Sequence, residues 1–268
     1  MVNLFTLKDR VAIVTGAIGL IGKEYCIALA ESGAKVVVTD LDESACVTFA
    51  ATLSSSCIGV GLDVTDKSSV ERTRDIIQDK YGKFDILVNN AAINDMFESP
   101  KAAAEQSKFE NYPLNLWQKS VDVNLTGVFL CSQIIGAEMA KLGSGSIINI
   151  ASTYGIVAPD QSLYKNERGE QIFYKPPAYS ATKGAVIAFT KYLASYWGEK
   201  GVRVNTLTPG GVENNQDRYF VESYSKKTPL KRMATPTDYI GALIFLASDA
   251  SLYMTGANLV VDGGWTSW

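Results

Sequence analysis

Apolar residues are distributed along the chain in two alternating patterns. Short runs at 11–15, 36–39, 58–62, 86–88, 147–150, 202–207 and 259–261 are almost continuously apolar and mostly rich in Val and Ile. Each is too short for a helix and reads as a strand. Between them, apolar positions recur at helical spacing near 20–32, 43–54, 67–81, 114–142, 178–199 and 236–248. Strands without polar alternation fit a parallel sheet covered on both faces. Their regular exchange with helices predicts an α/β fold of Rossmann type, a doubly wound parallel sheet in three α/β/α layers. No repeat, linker or low-complexity tract interrupts the pattern, so one domain over 1–268 is expected.

Two segments break the alternation. Residues 94–113 and 159–177 are polar and carry proline, and each follows a strand. That is the side on which open α/β sheets bind ligands, and loops of this length in a compact domain are usually functional or disordered.

Composition narrows the chemistry. The 268 residues include no histidine. That removes Ser-His-Asp and Cys-His nucleophiles, His-ligated metals and imidazole proton shuttles; no metal site is expected. Acid-base work near neutral pH must then fall to a perturbed Tyr, Lys, Asp, Glu or Cys. Lys and Arg total 25 against 28 Asp and Glu, so the basic excess of a nucleic-acid partner is missing. Cys26, Cys46, Cys57 and Cys131 show no C-x-x-C spacing and read as buried thiols of a reducing compartment. Lys8 and Arg10 precede a largely apolar stretch at 11–22 that mimics a signal peptide. It is too short to span a membrane, is punctuated by glycine and stops at Lys23-Glu24. A buried strand and turn is the better reading, with a cytoplasmic location and no membrane partner.

Three motifs carry the candidate chemistry. Thr15 to Gly22 reads TGAIGLIG, after the first strand and at the start of a helix. Gly16, Gly19 and Gly22 would let the backbone turn tightly and approach a pyrophosphate at the helix N-terminus. On its own this is a weak signal, since a plain glycine turn has the same form. Asp40 ends the second strand, 18 residues after Gly22. A carboxylate there would accept hydrogen bonds from both ribose hydroxyls of NAD and repel the 2′-phosphate of NADP. Asp42 adds negative charge, and Asp63 ends the third strand, where it could meet the adenine. Tyr179 and Lys183, in YSATK, share a helix face at i, i+4. Such pairs arise by chance, and Tyr196 with Lys200 is another. Tyr179 opens its helix directly after the proline-rich loop. Tyr196 lies late in a helix whose Val186, Phe189, Leu193 and Trp197 mark a buried stripe. A phenol must fall from about 10 to about 7 to act as a base at neutral pH, a change of about 4 kcal/mol. One ammonium about 4 Å away, at an effective dielectric of about 20, supplies roughly that much.

Taken in order, the motifs resemble the short-chain dehydrogenase/reductase family along the whole chain. They are TGAIGLIG, Asp40, Asp63-Val64, NNAA at 89–92, Asn124 in VNLTG, INIAS ending at Ser152, YSATK, TPGG at 208–211 and the closing FLASDASLYMTG…VVDGG. The resemblance implies a catalytic set of Asn124, Ser152, Tyr179 and Lys183. Tyr179 would move the proton, Ser152 would orient the substrate oxygen, and Lys183 would bind the nicotinamide ribose and lower the pKa of Tyr179. Asn124 would hold a water that relays protons to Lys183. It further implies a cofactor site of Gly16, Ile18, Gly19, Leu20, Ile21, Asp40, Leu41, Asp63, Val64, Asn90, Ala91, Ala92, Tyr179, Lys183, Pro209, Gly210 and Val212. Dimers or tetramers, paired through helices 114–142 and 178–199, are the family's habit, and Trp265 and Trp268 could contact a neighbour.

Four features depart from the family pattern. Its usual TGxxxGxG is here TGxxGxxG, a spacing of the extended subgroup, whose larger substrate domain this chain has no room for. Ala92 replaces a glycine, and Asn214 stands where a threonine often meets the carboxamide. Ser152 and Tyr179 are 27 residues apart, about twice the usual interval, and the surplus is the 159–177 segment. Tyr164, Lys165, Asn166, Arg168, Tyr174 and Lys175 give that segment groups suited to a hydroxylated or phosphorylated ligand, though a flap against solvent or a neighbouring subunit has the same composition. Tyr154, Tyr164, Lys165, Arg168 and Tyr174 are the candidate substrate contacts. With TPGGVENNQD and VVDGGWTSW, the insertion resembles a smaller subgroup of oxidoreductases of flagellin modification and nonulosonic (legionaminic-type) sugar biosynthesis.

The expected activity is an NAD(H)-dependent oxidoreductase, with NAD preferred over NADP. It would interconvert a secondary alcohol and a ketone on a sugar or sugar derivative. The alternatives are an NADPH-dependent 3-oxoacyl thioester reductase and a non-catalytic NAD-sensing relative.

Overall fold

The computed structural model describes residues 3–94 and 100–268; residues 95–99 of the first polar segment lie outside the described residues. The strands are β1 (Val11–Thr15), β2 (Lys35–Asp40), β3 (Ile58–Gly61), β4 (Ile86–Asn89), β5 (Gly145–Ile150), β6 (Val202–Pro209) and β7 (Asn258–Val261). They form one sheet in the order β3-β2-β1-β4-β5-β6-β7, and every pairing is parallel. Parallel neighbours need crossovers long enough to return the chain to the same edge. These contain α1 (Leu20–Glu31), α2 (Glu43–Leu53), α3 (Lys67–Tyr81), α4 (Pro100–Gln106), α5 (Leu114–Val121), α6 (Gly127–Leu142), α7 (Pro177–Trp197), α8 (Arg218–Lys227) and α9 (Ile240–Ala247).

The period-2 geometry of the strands divides the core. Val11 and Ile13 of β1 face α3, α6 and α7, packing with Ile77, Ile135, Met139 and Trp197. Ala12 and Val14 face the other way, onto Tyr25 and Leu29 of α1 and Leu243 and Leu246 of α9. Both faces of the sheet are thereby dry, which is why the strands read as continuous apolar runs. The cysteines are all buried and unbridged. Burial pushes the Cys131 thiol up to about 12 and Cys46 to about 11, so neither forms a thiolate near neutral pH.

The structure differs from the sequence pattern in two places. α4 and α8 lie in stretches of mostly polar residues. The helix expected at 114–142 is also interrupted: the Gly127 N–H donates to the Asp122 carbonyl, five residues back, and residues Asp122–Thr126 form a single π turn around Asn124. By length and hydropathy the Leu114–Leu142 stretch could cross a membrane, but more than half of its most apolar window is buried in the protein, where α6 covers the sheet.

Candidate active site

β1 is the topological switch point, with β2 on one side and β4 on the other, and the crevice at its C-terminal end is where ligands bind in such sheets. Gly16, the first residue after β1, has φ +63°, and a Cβ there would lie 2.7 Å from the Ala91 Cα. A Cβ on Gly22 would lie 2.2 Å from the Gly16 carbonyl oxygen. Gly19 is different: it is the extended N-cap of α1 and supplies no side-chain cap. The outer glycines close the turn, and the middle one opens the helix N-terminus, whose unpartnered N–H groups and dipole favour an anion.

A cavity of about 490 Å³ lies there, walled by Gly16, Gly19, Leu20, Ile21, Asp40, Leu41, Asp63, Val64, Asn90, Ala91 and Ala92. Ile18 is not in the wall; its N–H donates to Asp40 Oδ2 at 3.0 Å while the Leu41 N–H donates to Oδ1 at 2.8 Å, and these two bonds fix the carboxylate at the rim. Asn90 buckles the glycine loop, its amide donating to the Thr15 and Gly16 carbonyls at 3.0 and 2.9 Å. Thr15 returns the tie, its hydroxyl accepting from the Asn90 and Ala91 N–H groups, both at 3.0 Å. Leu62, Lys119 and Val123 line this cavity, and Thr15 braces it, but none was given a site role from the sequence. Thr15 acts across the β1–β4 pairing, and the other three arrive from neighbouring crossovers, so local spacing gives no sign of them. A helix N-terminus without a side-chain cap, a glycine cradle and an acid at the end of β2 together fit a dinucleotide.

Beyond β5, Ser152 caps the 3₁₀ turn Thr153–Gly155, its Oγ accepting from the Tyr154 N–H at 3.2 Å. With that lone pair used, its own proton is available to a neighbour. Gly155 lets this turn close on α7: a Cβ there would meet the Lys183 backbone at 2.7 Å. α7 starts at Pro177, a residue that needs no N–H partner in the first turn, and presents Tyr179 and Lys183 one turn apart on the side of Ser152. Lys183 is 4% exposed, and its Nζ donates to the Ile150 carbonyl at 2.8 Å. Burial lowers it to about 8, so it is still mostly charged at neutral pH.

Its Nζ lies 5.8 Å from the centroid of the Tyr179 ring. Tyr179 itself is pushed above the ordinary phenol value by burial, opposed by the Ser152 hydroxyl beside it. Burial thus sets the direction of the Tyr179 shift, upward, in the protein alone. Asn124 is buried in the π turn. Its Oδ1 accepts from the Ile93 N–H at 2.7 Å, and its Nδ2 donates to the Ile93 carbonyl at 3.0 Å. Both ends of the side chain meet one backbone unit, which clips the segment after β4 to the π turn. The second pair, Tyr196 and Lys200, is remote from this group, and Tyr196 is 58% exposed.

A second cavity, of about 270 Å³, lies between Ser152, Tyr179 and the chain at Pro209, Gly210 and Val212. Tyr154, Tyr164, Lys175 and Tyr224 complete much of its wall. The 159–177 insertion is a built part of that wall. Leu163 is buried with Tyr224, Met233 and Trp265, and Tyr224 stacks on Trp265 with centroids 4.2 Å apart. Asp160 pairs with Lys227 at the end of α8, and the Tyr164 hydroxyl donates to that of Tyr154 at 3.2 Å.

Some sequence assignments do not reach this cavity. Lys165 bridges to Gln171 in a backbone pairing, and Arg168 sits at the exposed tip, its N–H donating to Asn166 Oδ1 at 3.0 Å. The Tyr174 N–H donates to Ser107 Oγ at 2.9 Å, tying the insertion to the first polar segment. Lys165, Arg168 and Tyr174 are thus support, and Lys175 takes the place at the wall. Trp265 packs inward against Tyr224, whereas Trp268 is exposed. Asn214 does not line the cavity; its N–H donates to Gln216 Oε1.

A family model described as enoyl-(acyl carrier protein) reductase matches residues 16–266. The chain is 35% identical over 270 residues to a D-threitol dehydrogenase of Mycolicibacterium smegmatis, covering 98% of this chain and 95% of that protein. It is 33% identical over 267 residues to an NAD-dependent glycerol dehydrogenase of Listeria innocua, covering 98% and 96%. The crystal structure of a gluconate 5-dehydrogenase from Burkholderia cenocepacia in complex with NADP and tartrate has a TM-score of 0.87 and 32% identity, covering 99% of this chain and 98% of that one. The chain belongs to the short-chain dehydrogenase/reductase family, and its relatives are oxidoreductases acting on CH–OH groups with NAD(P).

Proposed function

We propose that the protein is an NAD(H)-dependent dehydrogenase or reductase that interconverts a secondary alcohol and a ketone on a small polyhydroxylated substrate. The observation that carries this is the convergence of Ser152, Tyr179 and Lys183 beside a glycine cradle whose rim holds the Asp40 carboxylate. NAD(H), when bound, supplies or accepts the hydride at the carbinol carbon. The Ser152 hydroxyl orients the substrate oxygen, and the Tyr179 phenol gives or takes its proton. Lys183, held against the Ile150 carbonyl, places a positive charge behind Tyr179 and within the pair's shared face of α7. Asn124 positions the segment after β4. The fixed Asp40 carboxylate supports NAD over NADP, since a 2′-phosphate would face a like charge in the same place.

The substrate wall, rich in tyrosine hydroxyls and amides, supports a sugar or polyol over a long acyl chain. The alternative of an NADPH-dependent 3-oxoacyl thioester reductase has the support of a 3-oxoacyl-[acyl-carrier-protein] reductase relative, 35% identical over 265 residues; its NADPH is what Asp40 disfavours. Sugar derivatives of the kind handled in flagellin modification or nonulosonic-acid biosynthesis are the narrower form of the same reading, drawn from the insertion and the chain's closing residues. A groove on α6 and α7, with Phe129, Tyr192 and Tyr196 exposed along it, supports pairing between copies into a dimer or tetramer, and a cytoplasmic location is part of the proposal. The test is Tyr179→Phe. Acid-base catalysis contributes about 10²–10⁴-fold, so kcat should fall by that order while NADH affinity, read by fluorescence titration, is kept. Near-wild-type turnover would overturn the assignment.

A further inference from the structure

Tyrosines from four separate segments line the reaction cavity: Tyr154 from the 3₁₀ turn after Ser152, Tyr164 from the insertion, Tyr179 from α7 and Tyr224 from α8. Their hydroxyls are not equivalent. Tyr224 accepts from the Gly211 N–H at 2.8 Å, with the Thr153 hydroxyl beside it, and so braces the backbone. Tyr164 gives its proton to the Tyr154 oxygen at 3.2 Å. Among the described residues, nothing accepts the proton of Tyr154 in turn. Gln216, on the same wall, is engaged at both ends, its Oε1 accepting from the Asn214 N–H at 2.6 Å and its Nε2 donating to the Val212 carbonyl at 2.8 Å. The Tyr164 hydroxyl is held in place through its ring. Phe173 meets that ring edge-on with centroids 5.4 Å apart, and Phe220 of α8 lies at 5.5 Å. Gln161, at the head of the turn Gln161–Tyr164, clasps the backbone at Lys175: its Oε1 accepts from the N–H at 2.8 Å, and its Nε2 donates to the carbonyl at 3.3 Å. Burial pushes Tyr154 and Tyr164 above the ordinary phenol value, so both stay protonated, and a charge on Tyr179 would raise each further.

We propose that Tyr154 is a specificity residue that donates its hydroxyl proton to a second hydroxyl of the substrate, next to the reacting carbinol, and that Tyr164 is the positioning residue that aims it. This rests on the oxidoreductase reading above and narrows it to substrates with neighbouring oxygens, vicinal diols and α-hydroxy ketones. Tyr154 stands two residues after Ser152 on one tight turn, so the oxygen it meets lies near the one that Ser152 orients. A shared cavity of about 270 Å³ keeps those two oxygens close. Accepting from Tyr164 occupies a lone pair on the Tyr154 oxygen. The remaining proton is thereby turned away from Tyr164, toward the cavity, and is the stronger donor for being part of a hydrogen-bonded chain. A substrate without the second hydroxyl leaves this nearly buried donor unpaired, and a site of that kind discriminates against it.

The experiment compares kcat/KM within pairs of substrates that differ by one hydroxyl: propylene glycol with isopropanol in the oxidative direction, and hydroxyacetone with acetone and acetoin with butanone in the reductive one. A hydrogen bond to a buried donor favours its partner by about tenfold to a hundredfold. The wild-type protein should prefer the hydroxylated member of each pair by that factor. Tyr154→Phe should remove most of the preference, and Tyr164→Phe part of it. The double variant should match Tyr154→Phe, because Tyr164 acts through Tyr154; a merely structural role predicts losses that add and that fall on both members of a pair alike. Fluorescence titration with NADH checks that each variant is folded, and Tyr164→Phe carries the test if Tyr154→Phe does not fold. The proposal is overturned if no hydroxylated member is turned over, if the wild type shows no preference, or if Tyr154→Phe keeps the wild-type ratio. Turnover that depends on Tyr179 without any preference for the second hydroxyl would sink this inference alone. Rates indifferent to Tyr179→Phe would sink the underlying reading.

Discussion

Replacing Lys183 with Met should abolish turnover with cofactor supplied and, in the cofactor-free protein at neutral pH, raise stability. The ammonium is 4% exposed, and its pKa drops from 10.5 to about 8 through burial. At about 1.4 kcal/mol per pKa unit, carrying that charge inside the folded protein costs about 3 kcal/mol at pH 7. Methionine fills a similar volume without the charge but leaves the Ile150 carbonyl without its donor, a loss of about 1–2 kcal/mol. The net gain at pH 7 is then about 1–2 kcal/mol. The pH dependence gives a sharper test. The folded pKa lies below the unfolded one, so between about 8 and 10.5 the unfolded chain binds more protons. Wild-type stability therefore carries the full burial cost below pH 8 and recovers it as pH rises to 10.5. Urea unfolding of both proteins without cofactor, at neutral pH and near pH 10, should show the variant's advantage shrinking and then reversing. An advantage independent of pH, or a variant less stable than wild type at pH 7, would refute the desolvation argument.

Asp40→Ala should weaken NAD binding about tenfold to a hundredfold through loss of charge-assisted hydrogen bonds, while NADP binding weakens less or improves. Equilibrium titration of the two cofactors against each variant reads the ratio, and an unchanged ratio removes the argument for NAD. Gly22→Ala should lose cofactor binding and about 1–3 kcal/mol or more of stability, because the new Cβ would lie 2.2 Å from the Gly16 carbonyl oxygen, a backbone atom with little room to yield. Calorimetry with and without NADH checks both, and a variant that still binds would show that the cradle is looser than its geometry.

The sheet was legible because its strands are buried on both faces. That environment leaves β1 reading VAIV before Thr15 and 86–88 reading ILV, and at 147–150 only the buried Asn149 interrupts the apolar run. α4 and α8 were not legible: RYFVESYSKK is mostly polar, and α8 takes its place from Tyr224 stacking on Trp265 and from Lys227 meeting Asp160. The 114–142 stretch reads as one helix because nothing in DVNLT marks a π turn. The turn accompanies the two hydrogen bonds between Asn124 and Ile93, partners 31 residues apart.

The catalytic candidates divide the same way. Ser152, Tyr179 and Lys183 sit in short motifs whose spacing along the chain is itself the signal, and the glycines of the cofactor loop are dictated by backbone sterics that a one-dimensional pattern records. The sequence by itself therefore determined the fold class, the glycine loop after β1 and the candidate reacting group. Only the tertiary structure decided the substrate wall. Lys165, Arg168, Tyr174 and Lys175 are close in sequence and similar in chemistry, and composition cannot rank them. Which one faces Tyr179 follows from the Gln161 clasp, the Ser107 tie and the packing of Leu163 beneath them, contacts between segments that only folding brings together.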